Sequence, residues 1–116
     1  MLVHLSPERF IRLVADYRGE NLWKFKNEDP MLILFTNNEH LFAKGLRDIY
    51  DPLHNSCPGL RTYEVIEHED PDIARAYGIY TFPSTMFISA SHEVHIMHGY
   101  LSADQVKTAV NQIIIR

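Results

Sequence analysis

The stretch Tyr77-Gly78-Ile79-Tyr80-Thr81-Phe82-Pro83-Ser84-Thr85-Met86-Phe87-Ile88-Ser89 constrains this chain most. Gly78 follows a segment with helical spacing and is suited to a left-handed C-cap, which a residue without Cβ adopts most easily. Pro83 stands at the mouth of the strand-like run Thr85–Ile88, where its missing N–H interrupts no ladder. Proline is also the residue before which a cis peptide bond costs little. A cis bond between Phe82 and Pro83 is therefore expected. It would turn the chain sharply and leave the Phe82 backbone free to pair with a guest peptide.

The remaining segments alternate between helical and extended patterns. Val3-His4-Leu5 reads as a short edge strand. Ser6-Pro7-Glu8 reads as a helix start, with Ser6 as N-cap and Pro7 at the first helical position. Phe10, Leu13, Val14 and Tyr17 supply that helix's apolar stripe, and Gly19 is expected to end it. Met31-Leu32-Ile33-Leu34-Phe35 is a continuous apolar run of strand length, the pattern of a central strand covered on both faces.

Thr36-Asn37-Asn38-Glu39 follows as a strand-to-helix turn, with Glu39 placed to complete a capping box. Leu41, Phe42, Leu46, Ile49 and Tyr50 continue with helical spacing to Asp51-Pro52. Loop signals run from His54 to Gly59, and Thr62 to Ile66 is strand-like. Asp70-Pro71 repeats the cap-plus-proline start, with Ile73, Ala74 and Tyr77 as the helix's apolar side. His92-Glu93 is the expected turn of a hairpin whose second strand is Val94–His98. Gly99 ends that strand. Ser102 and Gln105 form a second capping box, and Val106, Ala109, Val110 and Ile113 give the last helix its face.

The order is β-α-β-α-β-α-β-β-α. It predicts an α/β fold with a central mixed sheet and helices on both sides, three αβα layers in all. The 116 residues, 46% of them hydrophobic, suit a single domain spanning 1–116.

Composition excludes several function classes. The net charge is −4 and no basic stripe is present, so nucleic acid is not an expected partner. No apolar run approaches the roughly 20 residues of a membrane span, and no signal-peptide pattern opens the chain. The chain as given thus reads as cytoplasmic; a mature periplasmic form remaining after signal removal is the alternative. The single cysteine, Cys57, excludes an intrachain disulfide and a multi-cysteine metal site.

Several segments together resemble the thioredoxin family, bacterial thioredoxins in particular, along nearly the whole chain. Trp23-Lys24-Phe25 through Pro30 and Met31 to Phe35 are similar to the family's lead-in and central strand. Glu69-Asp70-Pro71-Asp72-Ile73-Ala74 and Tyr77-Gly78-Ile79 are similar to its third helix. Phe82-Pro83 resembles the cis-proline pair, and Gly99 the glycine after the last strand. The resemblance implies the thioredoxin fold, in the element order given above.

The departures from that family bear on function. Aligned through Phe35 and Lys44, the family's Trp-Cys-Gly-Pro-Cys-Lys becomes Glu39-His40-Leu41-Phe42-Ala43-Lys44. His40 replaces the attacking cysteine and Ala43 the resolving one. Leu34 replaces the family's buried aspartate. Thiol–disulfide exchange needs a thiolate attacking sulfur; imidazole and methyl cannot do this. Ordinary dithiol oxidoreductase activity is therefore not expected, and no cofactor is implied.

The favoured expectation is a redox-inactive domain that binds an extended peptide or protein through His40, Leu41, Phe42, Phe82 and Pro83. Against it, His40 also reads as a solvent-facing remnant, Phe42 as a core residue, and Phe82-Pro83 as a turn kept for folding. The alternative function is an atypical thiol oxidoreductase that uses Cys57, with His54 as the cation near it. The edge strand Val94–His98 offers a third reading, as a subunit interface.

No metal site is expected from the seven histidines. His95 and His98 fall on opposite faces of one strand, and no helical His pair exists. The acidic group Glu64, Glu67, Glu69, Asp70 and Asp72 reads as helix capping and charged surface.

Overall fold

In the computed structural model, residues 2–37, 40–67 and 69–114 are described, with the backbone alone for 40–43 and 54. Five strands form one mixed sheet in the order β1-β3-β2-β4-β5. They are β1 (Val3–His4), β2 (Met31–Thr36), β3 (Arg61–Ile66), β4 (Ser84–Ile88) and β5 (Val94–His98). β1, β3 and β2 run parallel, whereas β4 is antiparallel to both β2 and β5. The helices are α1 (Pro7–Leu13), α2 (His40–Tyr50), α3 (Leu53–Ser56), α4 (Pro71–Ala76) and α5 (Ala103–Ala109), which runs on into a π-helical turn, Val110–Ile114.

Strand alternation divides the core. Met31, Ile33 and Phe35 of β2 point to one face, where they pack with Phe10 of α1 and Ile73 and Ala74 of α4. Leu32 and Leu34 point to the other, against Leu46 and Tyr50 of α2, Leu53 of α3 and Val106 of α5. Every residue of β2 is buried, as expected of a strand covered on both sides. Leu34 is wholly enclosed in the second cluster.

Local signals account for most of the element ends. The Ser6 hydroxyl accepts from the Arg9 N–H, and Pro7 opens α1. Ser102 and Gln105 form the reciprocal capping box. Gly78 and Gly99 both have positive φ, 72° and 93°, where a side chain would strain the backbone.

Three expectations need correction. Helix α1 ends at Leu13 rather than near Gly19, because Val14 is already buried and its carbonyl accepts from the Lys26 N–H at 2.8 Å. That bond ties the chain leaving the helix to the segment before β2. The region read as a loop after Pro52 contains the one-turn helix α3. Its Leu53 is buried in the second core, and the Cys57 N–H closes the turn on the Leu53 carbonyl at 2.8 Å. Asp70 precedes α4 but makes no side-chain capping bond, having a backbone conformation outside the extended region. The capping box read at Thr36 and Glu39 lies outside the described residues.

Candidate functional site

The Phe82–Pro83 peptide bond is cis. It lies just before β4, whose first residue, Ser84, pairs with Phe35 near the C-terminal end of β2. The same end of β2 leads into α2. The sheet register therefore brings the Pro83 loop and the start of α2 to one edge of the sheet.

Hydrogen bonds brace the loop from two sides. The Gly99 N–H donates to the Pro83 carbonyl at 2.8 Å. The Ser84 hydroxyl donates to the Thr81 carbonyl at 2.7 Å and lies 2.8 Å from His98 Nδ1. Thr81 Oγ1 lies 3.2 Å from the same nitrogen. His98 thus clamps the two residues flanking Phe82-Pro83. Sequence reading missed this role, since only the register, with Ser84 opposite His98, shows it.

Between these anchors, the N–H and C=O of Phe82 take part in no backbone–backbone bond among the described residues. The Phe82 ring is half-buried against the first core cluster, so only part of it remains for a partner. Tyr80, two residues earlier, is 73% exposed. It is the prominent surface aromatic beside the loop, and the sequence reading did not single it out. The side chains of His40, Leu41, Phe42 and Ala43 lie outside the described residues.

Helix α2 is fixed from behind by a buried pair. Tyr50 Oη and Thr85 Oγ1 lie 2.7 Å apart, joining the end of α2 to β4. Burial pushes the Tyr50 phenol up to about 12, the Thr85 hydrogen bond pulling the other way and Tyr100 adding a small upward push. Glu64 is only 7% exposed and sits 2.6 Å from the Arg47 guanidinium on α2. This corrects the reading of Glu64 as capping or surface charge. Tyr100, on the segment after β5, covers α2 at Gly45, where an added Cβ would lie 3.0 Å from its hydroxyl.

Cys57 follows α3 and precedes β3, whose first residue, Arg61, pairs with Met31 at the start of β2. It therefore belongs to the opposite end of the sheet from the Pro83 loop. Five strand residues, roughly 13 Å along β2, separate the two levels. Cys57 is half-buried and packs against the second core cluster. The side chain of His54 lies outside the described residues.

A cleft of about 750 Å³ opens elsewhere, between β5 and α5, lined by His95, Met97, Asp104 and Gln112 among others. His95 lies on the α5 side and His98 on the Ser84 side of β5, as alternation requires. Donors of metal-ligand type gather in one group among the described residues: His4, Glu69 and Asp70, away from the loop. There, burial pushes the Asp70 carboxyl up, His4 pulls it down, and the Glu69 charge pushes it up. Among the described residues, no helix is long and apolar enough to cross a membrane.

No family model matches the chain. It is 26% identical to a thioredoxin of Borreliella burgdorferi over 111 residues, covering 95% of each chain. Its fold is similar to a chain solved in work on the thiol-resolving mechanism of yeast mitochondrial 1-Cys peroxiredoxin via glutathione/thioredoxin systems. That likeness has a TM-score of 0.74 at 16% identity, over 97% of this chain and 95% of the other. This chain holds one cysteine. The chain is thus similar to a thioredoxin along almost its full length and has a thioredoxin-like fold, a five-stranded mixed sheet with helices on both faces.

Proposed function

We propose that this protein is a redox-inactive thioredoxin-like domain that binds an extended peptide segment along the Phe82–Pro83 loop. The observation carrying the reading is the Phe82 backbone, whose N–H and C=O make no backbone–backbone bond among the described residues while residues on both sides are tied down. An extended strand can add to such an edge by main-chain bonds, with neighbouring side chains giving selectivity. Tyr80 and the outer part of Phe82 supply apolar contact. His40, Leu41 and Phe42 border the same edge from α2.

Chemistry supports the redox-inactive half of the proposal. A dithiol reductase needs an attacking thiolate and a second thiol to resolve the mixed disulfide. The chain has only Cys57, on the far side of the sheet. The alternative, an oxidoreductase using Cys57 with an external thiol, would act at the opposite end of the sheet from the loop.

A peptide array probed with the purified chain, followed by NMR titration of the selected peptide, tests the proposal. Shifts centred on residues 80–84 and 98–99 are expected, with affinity lowered roughly tenfold by Tyr80→Ala, as for loss of an aromatic anchor. Shifts confined to the β5–α5 cleft would move the binding site elsewhere. Turnover of insulin disulfides by the unmodified chain would end the redox-inactive reading.

A further inference from the structure

The geometry points to a metal site that binds one zinc-type divalent cation through His4 Nε2 and the carboxylates of Glu69 and Asp70. These three donors come from two segments 65 residues apart, the end of β1 and the turn between β3 and α4. Their ligand atoms all lie within 4.8 Å of one another, and His4 Nε2 is 3.0 Å from Glu69 Oε2. Zinc bonds to nitrogen and oxygen of about 2.0–2.1 Å place tetrahedral ligands about 3.3 Å apart. Side-chain rotations of an ångström or so would bring the three donors to that spacing.

Asp70 is also not engaged in capping a helix. It stands directly before α4, the position where an aspartate ordinarily accepts a hydrogen bond from the helix's first turn. Here its side chain makes no such bond. Instead its carboxylate stays within ligand distance of His4 and Glu69. Two carboxylates side by side repel, and a divalent cation neutralises both.

The donor set also selects the metal. One imidazole and two carboxylates suit zinc and related transition ions, leaving a fourth position for water. Magnesium and calcium prefer oxygen alone. The consequence would be structural. β1 pairs with β3 through two residue pairs, Val3 with Tyr63 and His4 with Glu64, and the Leu5 N–H adds a bond to the Glu64 carbonyl. A metal bridging His4 to the β3–α4 turn would clamp this edge strand.

Calorimetric titration of the untagged chain with zinc chloride, after chelator treatment, tests the site. One equivalent should bind, and magnesium chloride should not compete. His4→Asn and Asp70→Asn should each weaken zinc at least tenfold, whereas His95→Asn on the distant β5 should leave it unchanged. Melting in excess chelator checks that each variant is folded. In the unmodified chain, NMR should show the His4 ring signals moving on zinc addition while those of His95 and His98 stay. Failure to bind zinc, competition by magnesium, unchanged affinity in the His4 and Asp70 variants, or unmoved His4 signals would each overturn the assignment. So would loss of binding in His95→Asn.

Discussion

Tyr50 and Thr85 form the contact that sets α2 against β4, so their energetics bear directly on the candidate site. Both residues are fully buried, and their hydroxyls lie 2.7 Å apart. Removing one partner strands the other without water, at a cost of about 1–3 kcal/mol. Removing both leaves no orphan. Tyr50→Phe and Thr85→Val should therefore each destabilise the protein by about 1–3 kcal/mol. The double variant should lose less than the sum, with a coupling of about 1–2 kcal/mol. Urea unfolding of the four chains measures the cycle.

Alkaline pH gives a second reading of the same residue. The folded phenol titrates at about 12 against an ordinary 10.0. Two pKa units correspond to about 2.7 kcal/mol. Because the folded value is raised, this stability is fully present below pH 10 and is lost as pH climbs through about 12. Tyr50→Phe should flatten that part of the alkaline decline, which Tyr77, shifted in the same direction, continues to feed. Thr85→Val should not flatten it, since the Thr85 bond lowers the phenol's pKa. Strictly additive single variants, together with an unchanged alkaline profile in Tyr50→Phe, would refute the reasoning.

Arg47→Ala would leave the nearly buried Glu64 carboxylate without its cation. A loss of about 1–3 kcal/mol is expected, below the fully buried case because the Arg47 side chain is 36% exposed. Chemical denaturation would measure it. Gly78→Ala should cost about 1–2 kcal/mol from backbone strain alone, since nothing lies within 4 Å of an added Cβ. A melting-temperature shift of a few degrees would report this. Replacing His40 and Ala43 together by cysteine should create insulin-reducing turnover absent from the unmodified chain; inactivity in a folded double variant would count against the alignment of α2 with the family's redox segment.

Much of the scaffold was legible because its signals are local. The five apolar residues of Met31–Phe35 could only be satisfied by cover on both faces. Pro7, Pro71, Ser102 and Gly78 act through their own backbone chemistry, so their positions could be read without neighbours. The end of α1 could not, because it depends on Lys26 claiming the Val14 carbonyl from twelve residues away. α3 was hidden for a similar reason: its turn follows from Leu53 finding the second core, while its composition reads as loop.

At the candidate site the division is sharper. That the chain holds a single cysteine is a covalent fact, fixed by residue identity alone. Which groups surround Phe82-Pro83 depends on register. His98 reaches Thr81 and Ser84 only because β5 pairs with β4 at that offset. Glu64 looked like one more surface acid until alternation along β3 and the approach of α2 enclosed it with Arg47. His4, Glu69 and Asp70 meet only because β1 lies parallel to β3. Sequence alone determined which chemistry this chain can carry, because side-chain identity and backbone preference belong to each residue. Only the tertiary structure decided which groups meet and which lose water, because those depend on contacts between segments that sequence order keeps apart.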